Sequence, residues 1–169
     1  AKPVAEVFEA VADPKKLSGY FTTGGAQGRL KTGATVTWDF HDFPGAFPVE
    51  VVEVTPNAKI VLRWGTSEKG ADYQTTVTMT FEDLGDGRTL VKIHEAGWSD
   101  TPAGEKAAFG NCEGWTGMLC AMKVFVEHGL NLAEVASTVR SQVAYEVERL
   151  TGLTVAAVEV VIERVRQSA

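Results

Sequence analysis

The spacing of apolar residues changes along this chain, and the change limits the folds open to it. From residue 35 to residue 95 apolar and polar residues alternate, which is typical of strands with one buried face. After Thr101-Pro102-Ala103-Gly104, apolar residues recur at steps of four and three, which predicts an amphipathic helix of about six turns. Antiparallel strands followed by a long helix predict an α+β fold. The stripe of the helix contains Ala108, Cys112, Trp115, Leu119, Met122 and Val126.

The alternating region predicts five strands that follow one another as an antiparallel meander. A loop with Pro44 and Gly45 follows the first strand, and the turn Thr55-Pro56-Asn57 precedes the third. The glycines of Leu84-Gly85-Asp86-Gly87 supply the positive φ angles of a tight turn, so the last two strands form a hairpin. The predicted strands are Thr35 to Phe40, Phe47 to Val54, Ile60 to Trp64, Thr75 to Phe81 and Arg88 to Glu95.

Two short helices are predicted before the strands. The first ends at Asp13-Pro14, the second spans Pro14 to Leu17, and the glycine-rich turn Thr23-Gly24-Gly25 follows. The first helix is predicted from the i, i+3, i+4, i+7 spacing of Val4, Val7, Phe8 and Val11.

A further helix and a final strand are predicted after the long helix, which ends at Gly129. Asn131 with Glu134 three residues later resembles a capping box, and Thr151-Gly152 stops the helix. The tail Leu153 to Val165 is β-branched and alternating, which predicts a strand. The predicted inner face of the helix consists of Val135, Val139, Val143, Val147 and Leu150.

Composition narrows the function classes. The chain has 169 residues, 44% of them hydrophobic, which is enough to build the core of one main domain. A formal net charge of −6 argues against nucleic acid and anionic lipid as partners. No apolar run is long enough for a membrane span, so we expect a cytoplasmic location. Cys112 and Cys120 would lie ~12 Å apart along one helix, too far for a disulfide.

Residues that carry out chemistry are sparse. His41, His94 and His128 lack metal-ligand spacing, so neither a metal site nor a cofactor is expected. His94-Glu95 would be an acid/base pair by composition, but neighbouring strand residues point to opposite faces. We therefore expect His94 to be structural. Cys112 lies on the apolar stripe of the long helix, which predicts a buried and inert thiol.

Several segments in this order resemble the START-like or SRPBCC superfamily, in its branch named after the activator of the 90-kDa heat-shock protein ATPase. The resemblance covers roughly residues 3 to 132. It implies a helix-grip fold, in which a curved antiparallel sheet surrounds a long C-terminal helix. Members normally have a strand before the first helix, and that strand is not found here. The segments are Pro3 to Ala10 with Asp13-Pro14, Tyr20-Phe21, Val52 to Pro56, Leu62-Arg63-Trp64, Val77 to Phe81, Gly114-Trp115 to Lys123, and His128-Gly129.

Residues ~129 to 166 resemble the C-terminal half of the alkaline-shock protein family, whose members take part in stress response. The matching segments are Gly129 to Ala136, Leu150 to Val155 and Val158-Glu159-Val160. The tetrapeptide Gly129-Leu130-Asn131-Leu132 suits both families, so the chain reads as a possible chimera joined there. We therefore predict a helix-grip domain over residues 1–131 and a helix-strand appendage over residues 132–169. The tail strand would supply the missing sheet edge, in its own molecule or in a strand-swapped homodimer.

A cavity between the long helix and the sheet is the predicted site, because a helix pressed into a curved sheet rarely fills the whole space. A small apolar ligand would bind there without catalysis. A chaperone-interacting module and a polyketide-cyclase-like enzyme are the alternatives, and the fold by itself does not separate them. The candidate cavity residues are Trp38, Phe40, Val52, Leu62, Trp64, Met79, Phe81, Trp115, Met118, Leu119 and Met122.

Overall fold

Six antiparallel strands form one curved sheet, and a long helix packs across it, in a computed structural model that describes residues 2–159. The strands lie in chain order, each beside the next. This architecture confirms the predicted α+β helix-grip fold. The elements are α1 Val4–Ala12, α2 Pro14–Leu17, β1 Gly25–Gln27, β2 Thr35–Phe40, β3 Phe43–Thr55, β4 Lys59–Gly65, β5 Gln74–Asp83, β6 Thr89–Ala96, α3 Pro102–His128 and α4 Leu132–Thr151.

Strand β3 begins earlier than predicted. The expected loop with Pro44 and Gly45 is instead the first part of the strand, and Phe40 pairs with Phe43 across a tight turn. Prolines are tolerated here because β3 pairs with β4 only from Glu50 onward, so its first half needs no N–H donor on that side. The predicted glycine-rich turn at Thr23-Gly24-Gly25 leads directly into the short strand β1, which was not predicted.

A β-bulge in β3 changes which valines face the core. Val51 pairs with Leu62 and Glu53 pairs with Val61, so Val52 is the extra residue. Val51 is buried, whereas Val52 is 37% exposed. Val52 was predicted to line the cavity, and that placement is wrong because the bulge turns it away from α3.

The first two helices close one end of the sheet. The ring of Phe8 in α1 meets Phe81 of β5 edge-on, with 5.2 Å between ring centroids. The hydroxyl of Tyr20 donates to the carbonyl of Ala10 at 3.2 Å, and burial raises the pKa of Tyr20. Tyr20 also contacts Phe125, which joins this end of the molecule to α3.

Helix α3 begins in a crowded corner. Thr101 caps the helix by accepting a hydrogen bond from the N–H of Gly104 at 3.0 Å. The carboxylate of Glu68, in the β4–β5 loop, accepts hydrogen bonds from the hydroxyls of Tyr73 and Ser99, both at 2.7 Å. These bonds lower the pKa of Glu68, with the Ser99 bond as the larger cause. The corner fastens the β4–β5 loop to the start of α3.

Helix α4 forms as predicted, and its apolar face is exposed. The Oδ1 atom of Asn131 accepts from the N–H of Glu134 at 3.2 Å, which confirms the predicted cap. Four valines of the predicted inner face are between 39% and 43% exposed. These are Val135, Val139, Val143 and Val147.

The predicted tail strand, Leu153 to Val165, falls partly beyond the described residues, and its described part is not a strand. Residues 152–159 form neither helix nor strand, and residues 160–169 lie outside the described part of the chain. Within residues 2–159, β6 pairs with β5 only. The pairing of the tail with the β6 edge therefore stays a prediction. Over the same residues, no helix has the length and apolar character that crossing a membrane requires.

We expect substitution of Gly104 by Ala to destabilise the protein. A Cβ atom at residue 104 would lie 2.3 Å from the carbonyl oxygen of Ser99, so the start of α3 must shift. The expected loss is about 1–3 kcal/mol in the free energy of unfolding, measured by urea denaturation. Gly110→Ala is the control, because a Cβ atom there meets open space. Alanine should stabilise that helical position by about 0.5–1 kcal/mol, and equal effects of both substitutions would contradict the packing of this corner.

Candidate functional site

Six aromatic side chains converge between α3 and the strands β2, β3 and β4. Neighbouring ring centroids within this group are 5.0 Å to 6.0 Å apart. Edge-on and stacked pairs at such distances are stabilising beyond their buried area. We call the group the aromatic cluster; it consists of Phe21, Trp38, Phe40, Phe47, Trp64 and Trp115.

The indole ring of Trp115 lies at the centre of one stack. It is parallel within 28° to Phe21 at 5.5 Å and within 24° to Trp64 at 5.2 Å. Trp115 belongs to α3, Trp64 to β4, and Phe21 to the segment between α2 and β1. The stack therefore joins three separate parts of the chain.

A carboxylate lies beside this stack and binds four side chains. The Oε1 atom of Glu95 accepts from Trp64 Nε1 at 2.8 Å and from Thr75 Oγ1 at 2.6 Å. Its Oε2 atom accepts from Trp115 Nε1 at 2.7 Å, and Asn111 Nδ2 contacts both oxygens at 3.2 Å and 3.1 Å. A carboxylate has about four acceptor sites, so these donors occupy nearly all of them.

The two-residue repeat of strand β6 and the four-residue spacing along helix α3 bring Glu95 and its partners together. Val91, Ile93 and Glu95 alternate toward the interior, while His94 points outward and is exposed. Asn111 precedes Trp115 by four residues, about one helical turn, so both reach the same carboxylate. Glu95 therefore holds the indoles in place, and its oxygens are not free to act as a base.

The structure brings four of the predicted cavity residues together in the aromatic cluster, namely Trp38, Phe40, Trp64 and Trp115. A second group lies deeper in the core. Phe81 contacts α1 rather than the cluster, and Leu119 is partly buried at the edge of the core. The buried residues of this second group are Leu62, Met79, Met118 and Met122.

Sequence reasoning did not place four residues that complete the site, and it considered Glu95 only beside His94 as an acid/base pair. Phe21 and Phe47 belong to the aromatic cluster, and Glu95 and Asn111 form its polar edge. The signal for Glu95 was present, because it continues the inward alternation of Val91 and Ile93. Nothing in the order of residues indicates that Phe21, outside any strand, would reach Trp115.

Two pockets lie outside the aromatic cluster. One, of about 510 Å³, is bordered by α1 and the β3–β4 turn and contains the ion pair of Glu9 with Arg29. The other, of about 420 Å³, adjoins the end of α3 at His128. Neither of these two pockets lies at the predicted position between α3 and the sheet, where the aromatic cluster is found.

The remaining candidates for chemistry are dispersed. Cys112 is exposed, which corrects the predicted buried thiol; the buried face of α3 runs through Asn111, Trp115 and Met118 instead. His41 and His94 are also exposed. Across residues 2–159, no three His, Cys, Asp or Glu side chains are grouped so that they could hold a metal ion.

We expect Glu95→Gln to destabilise the protein by about 1–3 kcal/mol. The amide would direct an NH₂ group at indole or hydroxyl donors, so at least one buried donor loses its acceptor. Urea unfolding measures this loss, and red-shifted tryptophan emission should accompany it. His94→Gln is the control on the outward face and should change stability by less than about 0.5 kcal/mol. Equal stability of both variants would mean that Glu95 does not hold the cluster.

Comparison with known proteins agrees with this architecture. The protein SSP2350 from Staphylococcus saprophyticus is similar at 29% identity, covering 78% of this chain and 88% of that one, with a TM-score of 0.63. DynU16, a protein of the dynemicin biosynthetic locus, is similar at 26% identity over 76% of this chain and 44% of that one, with a TM-score of 0.62. Among curated proteins, none matches this chain.

A dimeric Aha1 from Colwellia psychrerythraea is 19% identical, covering 76% of this chain and 90% of that one, with a TM-score of 0.62. This likeness shows the fold alone.

Two family models match overlapping parts of the chain. The model of the alkaline-shock family, with a cell envelope-related function, matches residues 114–167, which confirms the predicted second resemblance. It begins inside α3, earlier than the tetrapeptide at residues 129–132, so part of α3 suits both families. The other model matches residues 1–127, and the chain therefore belongs to the family described as activator of Hsp90 ATPase homolog 1-like protein.

Proposed function

We propose that the protein binds a small, flat, hydrophobic molecule at the aromatic cluster, between α3 and the sheet. The family supports a ligand-binding fold. The observation that carries the proposal is the cluster itself, in which six aromatic rings gather at one end of the core. Adaptable apolar and aromatic walls with a few polar groups are typical of small-molecule sites.

Different exposures within the cluster indicate how a ligand would enter. Trp38 and Trp115 are buried, whereas Phe21, Phe40, Phe47 and Trp64 are only partly buried. Phe21 lies in the segment between α2 and β1, where no strand ladder holds its backbone. A turn of its ring away from Trp115 would open a place in the stack, which a flat guest would take.

The polar groups of the site favour binding over catalysis. Glu95 is the acidic residue beside the rings, and its oxygens are occupied by Trp64, Thr75, Asn111 and Trp115. A cyclase-like reaction needs a group that is free to exchange a proton with the substrate. The chaperone-interacting alternative stays a prediction from the family description.

Fluorene, a flat apolar hydrocarbon, is a suitable probe of this proposal. We expect it to raise the melting temperature and to quench tryptophan emission. Phe40→Leu should weaken its binding about 2- to 13-fold, because an aromatic contact contributes about 0.5–1.5 kcal/mol beyond buried area. Phe43→Leu is the control: the same substitution on the same hairpin, at a ring that is 76% exposed.

Two results would contradict the proposal. One is unchanged melting and emission up to the solubility limit of fluorene. The other is equal weakening by both leucine variants, which would place the probe on the protein surface.

A second candidate function, self-association, has one specific observation in its favour. The leucines and valines of α4 are spaced by three, four, four, four and three positions, a series that is symmetric about Ser141. Two antiparallel copies would therefore match each of these six residues with another: Leu132 with Leu150, Val135 with Val147, and Val139 with Val143. A symmetric homodimer needs a self-complementary surface of this kind. The tail strand is the alternative contact.

Sedimentation velocity separates these two contacts. Val139→Glu places a charge in the valine stripe and should convert a helix-mediated dimer to monomer, whereas Ser141→Glu, on the opposite side of α4, should not. A variant ending at Thr151 keeps α4 and lacks the tail, so it becomes monomeric only if the tail strand joins the copies. A monomeric parent protein at high concentration would rule out both contacts.

A further inference from the structure

The buried indole of Trp38 carries a hydrogen-bond donor without an acceptor. Trp38 lies in β2 and is 1% exposed. Among residues 2–159, no atom accepts a hydrogen bond from its Nε1. The other two indoles of the aromatic cluster, Trp64 and Trp115, both donate to Glu95. A buried donor left without an acceptor is destabilising, and such groups in folded proteins call for an explanation.

The neighbours of Trp38 provide no good hydrogen-bond acceptor for its N–H. The rings of Phe21 and Trp64 each stand edge-on to it, both with centroids 5.7 Å away and at angles of 85° and 89°. A ring face is a weak acceptor compared with a carbonyl oxygen. Glu95, the carboxylate that binds the other two indoles, already accepts from four side chains.

We infer that the ligand is a neutral, flat aromatic molecule whose carbonyl oxygen accepts the Trp38 Nε1 hydrogen bond. This inference rests on the proposed function. An aromatic skeleton fits because its faces would stack on the cluster rings, and the carbonyl fits because Trp38 supplies a donor only. An amine would place a second hydrogen-bond donor opposite the Trp38 N–H, which needs an acceptor. A carboxylate would stand close to Glu95 in an apolar environment, where like charges repel strongly.

Fluorenone and fluorene form a matched pair of probes, because they share one flat ring system and differ in the carbonyl group. Their dissociation constants are measured by tryptophan quenching with the parent protein and with Trp38→Phe, which keeps an aromatic ring and removes the N–H. We expect the preference for fluorenone over fluorene to be about tenfold greater in the parent than in the variant. The ratio of the two dissociation constants in the parent is divided by the same ratio in the variant, which removes the effect of the difference in solubility between the probes.

A spectroscopic readout does not depend on the variant's stability. In ¹⁵N-labelled protein, the indole N–H proton of Trp38 should move downfield with fluorenone and stay near its free position with fluorene. The Trp64 and Trp115 indole signals, whose N–H groups are bonded to Glu95, serve as internal references. If the variant fails to fold, the parent spectra still decide the question.

The outcomes are distinguishable. Failure of both probes to bind contradicts the proposed function itself. Binding of both probes with equal preference in parent and variant, or with an unmoved Trp38 signal, overturns the carbonyl inference and leaves the proposed function standing.

Discussion

The carboxylate of Glu95 stabilises the packing of α3 against the sheet. Glu95 belongs to β6, and its partners come from β4, β5 and α3, so a single side chain joins four elements. Without it, two indole N–H groups inside the molecule would lose their acceptors, and the stack of Trp64 on Trp115 would lose its orientation. The pairing of Trp115 in α3 with Trp64 in the sheet therefore depends on hydrogen bonds as well as on apolar contact.

This constraint divides the interior into two ends of different character. Toward α1 the core is packed from valine, leucine, isoleucine and methionine, with Phe8 against Phe81. Toward the β2–β3 hairpin it consists of aromatic rings, several of them only partly buried. The first end has the dense packing that stabilises a fold. The second combines flat surfaces, one unpaired donor and partly buried rings, and these features are the basis of the proposed ligand binding.

The C-terminal part of the chain, from within α3 onward, matches a second family pattern. The two family models overlap inside α3, so this helix satisfies the sheet on one face while it also leads into the second pattern. Helix α4 then continues with a valine stripe that the rest of the described chain leaves exposed. A stripe of this kind needs a partner surface, because burial of valine side chains is the main gain that an amphipathic helix can offer.

Periodicity, together with turn and capping signals, predicted the order of the elements except for β1. Alternation predicted strands, steps of four and three predicted α3, and capping residues located the start of α4, because these patterns reflect local backbone geometry. What only the tertiary structure decided depends on contacts between distant residues. The bulge at Val52 depends on how β3 pairs with β4. The early start of β3 depends on the side of this strand that β4 leaves unpaired before Glu50. The exposure of Cys112 depends on how α3 is rotated about its axis. Phe21 reaches Trp115, and Glu95 meets Asn111, only once the helix lies across the sheet. Local sequence does not indicate which distant residues come into contact. Some residues of the site could therefore be predicted, but their arrangement could not.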